Sequence, residues 1–102
     1  MTRAVTLAPH HLVAPLFVPG DRPERFPKAV SAGAQSIILD LEDAVAADDK
    51  ARARDCVVQH GIEAVPVIVR INPAGTPWFD DDLAMLRDAR IAGVMIPKAA
   101  DP

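Results

Sequence analysis

Three acidic residues closing an apolar run are the first chemical signal in this sequence. Ser36-Ile37-Ile38-Leu39 reads as a buried strand, and Asp40-Leu41-Glu42-Asp43 follows at once. An unpaired charge in a strand core is expensive, so a run that turns from apolar to acidic is leaving the core at a wetted end. In a parallel α/β protein that end is where binding and catalytic groups collect. Two later apolar runs finish in the same manner. Val65–Ile71 carries Arg70 and leads to Asn72, and Val94–Ile96 leads to Lys98. A guanidinium can clamp a small carboxylate through two parallel hydrogen bonds, and Lys98 could orient an oxyanion or a carboxylate. The same cations would also neutralise Asp40, Glu42 and Asp43, but recurrence of polar residues at three consecutive strand ends favours a site. A Schiff-base role for Lys98 is disfavoured, because a lysine beside several acids is not desolvated into a nucleophile.

Strand side chains alternate between faces. By parity, Ile38, Asp40 and Glu42 share a face while Asp43 turns away; Ile68, Arg70 and Asn72 share one, and so do Val94, Ile96 and Lys98. The expectation is a single polar-ended face opening at a common mouth.

The elements that must position these groups follow from the punctuation of the chain. Leu12–Val18 reads as a first strand stopped by Pro19-Gly20, after which Asp21 and Glu24 have capping-box spacing. A tight turn over residues 22–26 and a helix starting with Pro27 in its first turn lead to Gly33, a suitable C′ residue. After the acidic strand end, Ala44–Ala47 should continue into a helix, with Asp48 or Asp49 as a second cap. Lys50–His60 carries Ala53, Cys56, Val57 and His60 along one stripe, and Gly61 ends it. Thr76-Pro77 predicts the start of a third helix, whose first turns hold Asp80, Asp81 and Asp82, where negative charge suits the dipole. The order is β-α-β-α-β-α-β, the pattern of crossover units in a parallel sheet.

The totals restrict the function class. The 102 residues suffice for one small domain, half of them are apolar, and the formal net charge is -3. That charge argues against a nucleic-acid or anionic-membrane surface. No run of about 18 apolar residues marks a membrane span. The single cysteine, Cys56, excludes an intrachain disulfide and suits a reducing, cytoplasmic setting, where it acts as an apolar filler. Residues 1–11 lack periodicity and read as a flexible N-terminal arm; His10 and His11 within it are surface residues without further ligands nearby. His60 reads as a helix-end residue favoured by the dipole. Trp78 and Phe79 read as packing residues. Arg22, Arg25 and Lys28 form a basic cluster after the first strand, either solvated or a phosphate seat at a helix start. Neither GxGxxG nor GxxxxGK[ST] is present, so no dinucleotide or P-loop reading is supported.

Four motifs together carry a family resemblance: Leu16-Phe17-Val18-Pro19-Gly20-Asp21-Arg22-Pro23-Glu24-Arg25-Phe26, Leu39-Asp40-Leu41-Glu42-Asp43-Ala44-Val45, Val69-Arg70-Ile71-Asn72-Pro73 and Ile96-Pro97-Lys98. In this order and spacing they resemble the citrate lyase β-subunit-like branch of the HpcH/HpaI aldolase superfamily. The resemblance implies a (β/α)8 TIM barrel, of which residues 12–102 would be the N-terminal half, cut after the fourth strand. A complete barrel takes about 250 residues. It further implies a Mg²⁺-dependent carbon–carbon lyase of the retro-Claisen or aldol type. Such an enzyme cleaves citryl-, malyl- or related CoA or acyl-carrier thioesters to release a small oxo-acid. By the same resemblance Arg70 grips the oxo-acid carboxylate, Phe17 and Lys28 match positions against the CoA part with Arg22 and Arg25 as weaker additions, and Glu42 and Asp43 support the metal shell or its waters. The direct metal ligands of the family lie beyond the fourth strand, so no metal ligand is expected within this chain. Pro27 departs from the helix former usual in the family. Two other readings are an aldolase acting on free hydroxy-oxo acids, and a catalytically incomplete fragment with a binding or assembly role. A half-barrel exposes two sheet edges, so further chain or a homo-oligomer is expected to cover them.

Overall fold

All seven regular elements appear in the expected order in a computed structural model, which describes residues 15–98. The strands are β1 (Leu16–Pro19), β2 (Ile37–Asp40), β3 (Val67–Arg70) and β4 (Gly93–Met95). The helices are α1 (Phe26–Ser31), α2 (Lys50–Val58) and α3 (Phe79–Met85). The strands form one parallel sheet in the order β1-β2-β3-β4. The arm at residues 1–11, with its two histidines, and the first residues of the expected first strand lie outside the described residues.

Register sorts the side chains. On one face Phe17, Ile38, Ile68 and Gly93 lie side by side, and one step further along Pro19, Asp40, Arg70 and Met95 do so. The opposite face carries Val18, Ile37, Leu39, Val67 and Val69, which pack with Phe26, Ala29, Ala53, Val57 and Met85 of the helices. Ile37, Leu39 and Val69 are fully buried, each contributing roughly 1.5–3 kcal/mol through removal of apolar surface from water. Val94 pairs with Val69 rather than with a residue of the Arg70 face. The expectation that Val94, Ile96 and Lys98 share the face of Arg70 is therefore wrong by one residue, and Met95 is the neighbour of Arg70. Apolar residues at both parities of a short strand leave its register unspecified by pattern alone.

The first connection follows its local chemistry. Pro23–Arg25 is a 3₁₀ turn, α1 carries Pro27 in its first turn, and Gly33 adopts φ +87° just past the helix end. Asp21 does not cap this turn; it is buried, and its carboxylate lies 3.5 Å from the Arg52 guanidinium of α2. Ala44–Ala46 are not helical, since the chain turns there before a 3₁₀ turn at Ala47–Asp49 opens α2. Thr76 bonds back to the Pro73 carbonyl at 2.7 Å, which closes a turn and delays α3 to Phe79. None of the helices is long and apolar enough to cross a membrane among the described residues.

Candidate functional site

Arg70 and Asp40 are register partners at the C-terminal ends of adjacent strands. A parallel sheet places the two side chains on one face, and they meet in a bidentate pair. Arg70 Nε donates to Asp40 Oδ1 at 2.9 Å and Nη2 donates to Oδ2 at 2.7 Å. Strand β2 ends at this aspartate because its carboxylate turns back on the chain. Oδ1 accepts the Glu42 amide at 2.8 Å and Oδ2 accepts the Ala44 amide at 3.2 Å, an Asx-type turn that replaces sheet pairing. The turn alters the expected parity. Glu42 and Asp43 both approach the guanidinium, with oxygens 3.4 Å from Nε and 3.9 Å from Nη2 respectively. Arg70 Cζ sits over the ring of Phe17 of β1, 5.0 Å from the ring centre.

Three carboxylates thus surround one guanidinium, and their protonation responds. Burial works to raise the Asp40 carboxyl, but the Arg70 hydrogen bond, the two amides and the guanidinium charge outweigh it and hold it below its ordinary value. Glu42 moves the other way: burial and then the Asp43 charge raise it, against the pull of Arg70. The Asp40 hydrogen bond holds Arg70 even more firmly protonated.

The acidic turn rests on the first residue of the helix that begins at Lys50. Lys50, at the start of α2, is 5% exposed. Its Nζ donates to the carbonyls of Leu41, Glu42 and Val45 at 2.8, 2.9 and 3.0 Å, and it sits 4.8 Å above the Trp78 ring. Burial lowers its pKa, opposed by the charges of Asp82, Asp40, Glu42 and Asp43. A cation in the first turn of a helix opposes the macrodipole, and that misfit was the available signal for a tertiary role. Asn72 was expected to face the mouth beside Arg70. It is instead buried toward α3, where its Nδ2 donates to Leu41 O at 2.9 Å and to Asp82 Oδ2 at 2.7 Å. Asp82 is fully buried and also accepts the Asn72 amide and Arg54. It stands three residues from both Phe79 and Met85 and four from Leu86, on the stripe that α3 turns to the core, whereas Asp81 is exposed.

Of the residues named from sequence, Arg70, Glu42, Asp43 and Phe17 come together. Lys98, Arg22 and Lys28 are exposed, and none of their side chains makes a hydrogen bond or ion pair among the described residues. Lys98 lies three residues past Met95, off the end of β4. His60 is a staple: Nδ1 accepts the Ile62 amide at 2.7 Å, so Nε2 carries the proton and donates to Arg90 O at 2.7 Å. A cleft of about 330 Å³ between α1 and residues 60–64 shares no residue with the Arg70 cluster. Cys56 is partly buried, and burial raises its thiol pKa, which disfavours the nucleophilic thiolate.

Among the described residues no group of three or more histidine, cysteine or acidic side chains could hold a metal ion. The Asp40 oxygens are occupied by Arg70 and two amides. Glu42 and Asp43 remain, and Asp43 is 82% exposed. Two carboxylates fit the outer environment of a Mg²⁺, which keeps several waters, but they are not a closed ligand set.

Comparison with known proteins places the chain in a family. The family model described as HpcH/HpaI aldolase/citrate lyase matches residues 14–102. The chain belongs to that family. A citrate lyase subunit beta-like protein of Mycobacterium tuberculosis is 45% identical over 84 residues, covering 82% of this chain and 30% of that protein. An L-malyl-CoA/beta-methylmalyl-CoA lyase of Rhodobacter capsulatus is 44% identical over 90 residues, covering 81% and 28%. Among solved structures, CitE of M. tuberculosis in complex with magnesium, acetoacetate and coenzyme A superposes with a TM-score of 0.73 at 44% identity, covering 80% of this chain and 30% of that one. The four-stranded α/β fold corresponds to the N-terminal part of that barrel-like fold, as the resemblance implied. The chain spans about a third or less of the relatives it matches.

Proposed function

We propose that this chain is the N-terminal part of a Mg²⁺-dependent carbon–carbon lyase that cleaves a CoA thioester of a hydroxy-acid and releases a small oxo-acid. The observation that carries the reading is Arg70: a guanidinium fixed at a strand end and partly exposed, in a family whose relatives include a malyl-CoA lyase and a CitE bound to magnesium, acetoacetate and coenzyme A. Arg70 would hold the oxo-acid carboxylate. Phe17, already against the guanidinium, would wall the mouth on the CoA side, with Lys28 and Arg22 offering positive charge to phosphate and Lys98 to the substrate carboxylate. Glu42 and Asp43 are the residues placed to accept hydrogen bonds from metal-bound water. A bound Mg²⁺ supplies charge stabilisation at the oxo-acid oxygens. The setting consistent with one free thiol and net negative charge is cytoplasmic. The open edges of β1 and β4 favour a homo-oligomer.

The test is Mg²⁺-dependent release of oxo-acid from malyl-CoA and citryl-CoA by the protein and its Arg70 variants. Arg70→Ala should lower kcat/KM by roughly a hundredfold or more, and Arg70→Lys should recover little, because an ammonium lacks the planar fork. Undiminished turnover in Arg70→Ala would remove the basis of the assignment.

A further inference from the structure

Resting on the oxo-acid reading above, we infer that Asp40 is a positioning residue that locks Arg70 by its Nε/Nη2 edge and reserves the Nη1/Nη2 edge for the carboxylate of a 2-oxo acid. A guanidinium carries five N–H donors in one plane. Asp40 engages one on Nε and one on Nη2, at 2.9 and 2.7 Å. Three remain, and no hydrogen bond among the described residues uses Arg70 Nη1. One hydrogen from each Nη points the same way, so a second in-plane fork is left open.

The lock is fixed from both sides. Asp40 cannot swing to another partner, because the Glu42 and Ala44 amides occupy its oxygens and its side chain is 3% exposed. The loop bearing those amides is held by the three bonds of Lys50. Phe17 limits the room Arg70 has to move, since Cζ sits over its ring, 5.0 Å from the ring centre. A ligand carboxylate that displaced Asp40 would break two charge-assisted bonds and leave a buried carboxylate without its cation. One that takes the open fork breaks neither. The open fork therefore fixes both the plane and the direction in which a 2-oxo acid presents its carboxylate. Asp40 never touches the ligand, and acts only through Arg70.

Side-chain NMR of protein labelled with ¹⁵N-arginine, titrated with pyruvate in the presence of Mg²⁺, tests this. In the wild type the Arg70 Nε–H should exchange slowly with solvent and keep its resonance on pyruvate addition, while the Nη resonances shift. In Asp40→Asn the Nε–H should exchange at least about tenfold faster and pyruvate affinity should fall roughly tenfold. Movement of the Nε–H resonance by pyruvate would show that the ligand displaces Asp40, and would overturn the inference while leaving the oxo-acid reading intact. So would unchanged pyruvate affinity in folded Asp40→Asn. If that variant does not fold, the wild-type shift pattern decides alone. Arg70 resonances indifferent to pyruvate in the wild type would overturn the oxo-acid reading itself, and the inference with it.

Discussion

At Arg70 one cation answers three carboxylates, and only one of them, Asp40, is fully engaged. This gives Asp40 a signature in acid. Its folded pKa is depressed below the unfolded value of about 3.9. The stability it contributes is thus fully present above about pH 4 and is lost as pH falls through the depressed folded value. Unfolding free energy measured against pH should decline in that acid window, and Asp40→Asn should remove this component of the decline. Lys50 makes a second prediction at this scale. Lys50→Met keeps much of the side-chain length but removes a donor from three carbonyls of the acidic turn, leaving Leu41 O only Asn72 and Glu42 O only the Val45 amide. A loss of roughly 2–4 kcal/mol is expected in denaturant unfolding. A loss below about 0.5 kcal/mol, the range of an ordinary surface substitution, would show that the turn holds itself.

Between elements, the closest backbone approach that supports the site is at Gly20, just past β1. Its amide donates to Asp40 O at 2.8 Å, and a Cβ there would stand 3.0 Å from that oxygen and from Leu41 Cδ2. Neither atom has room to retreat, since Asp40 is pinned by Arg70 and Leu41 is fully buried. Gly20→Ala should therefore cost about 1–3 kcal/mol through overpacking, read as a lowered unfolding midpoint. Because the displaced atoms belong to the residue gripping Arg70, the same variant should weaken pyruvate binding. Gly33→Ala is the contrasting case: its Cβ would meet nothing within 4 Å, and its cost would come from φ +87° alone.

Across the whole molecule the sheet buries one face under helices and leaves part of the other open. Phe17 is 49% exposed, and Ile96, just past β4, is 56% exposed. The outer edges of β1 and β4 pair with no other strand among the described residues. Unpaired parallel edges beside exposed apolar side chains promote association. Sedimentation of the isolated chain should show a mass that rises with concentration, and Ile96→Lys should reduce it. A monomer at every concentration would show that the edges are protected in another way.

Much of this was legible in the residues themselves. The β-α alternation, the turn at Gly33 and the gathering of Arg70, Glu42 and Asp43 at strand ends follow from local signals: apolar runs, proline and glycine punctuation, and charge where a core ends. The motifs from Leu16 to Lys98 also led to the correct family. What the linear pattern could not carry was pairing at a distance. Asp40 was one acid among three until the β2–β3 register set it opposite Arg70. Lys50 and Asp82 looked like ordinary helix residues until packing buried them against carbonyls and amides. The expected alignment of Lys98 with Arg70 failed because a strand with apolar residues at both parities does not encode its own register. The sequence alone determined which chemical groups stand at the mouth; the tertiary fold decided which of them hold one another and which edge of Arg70 is left free.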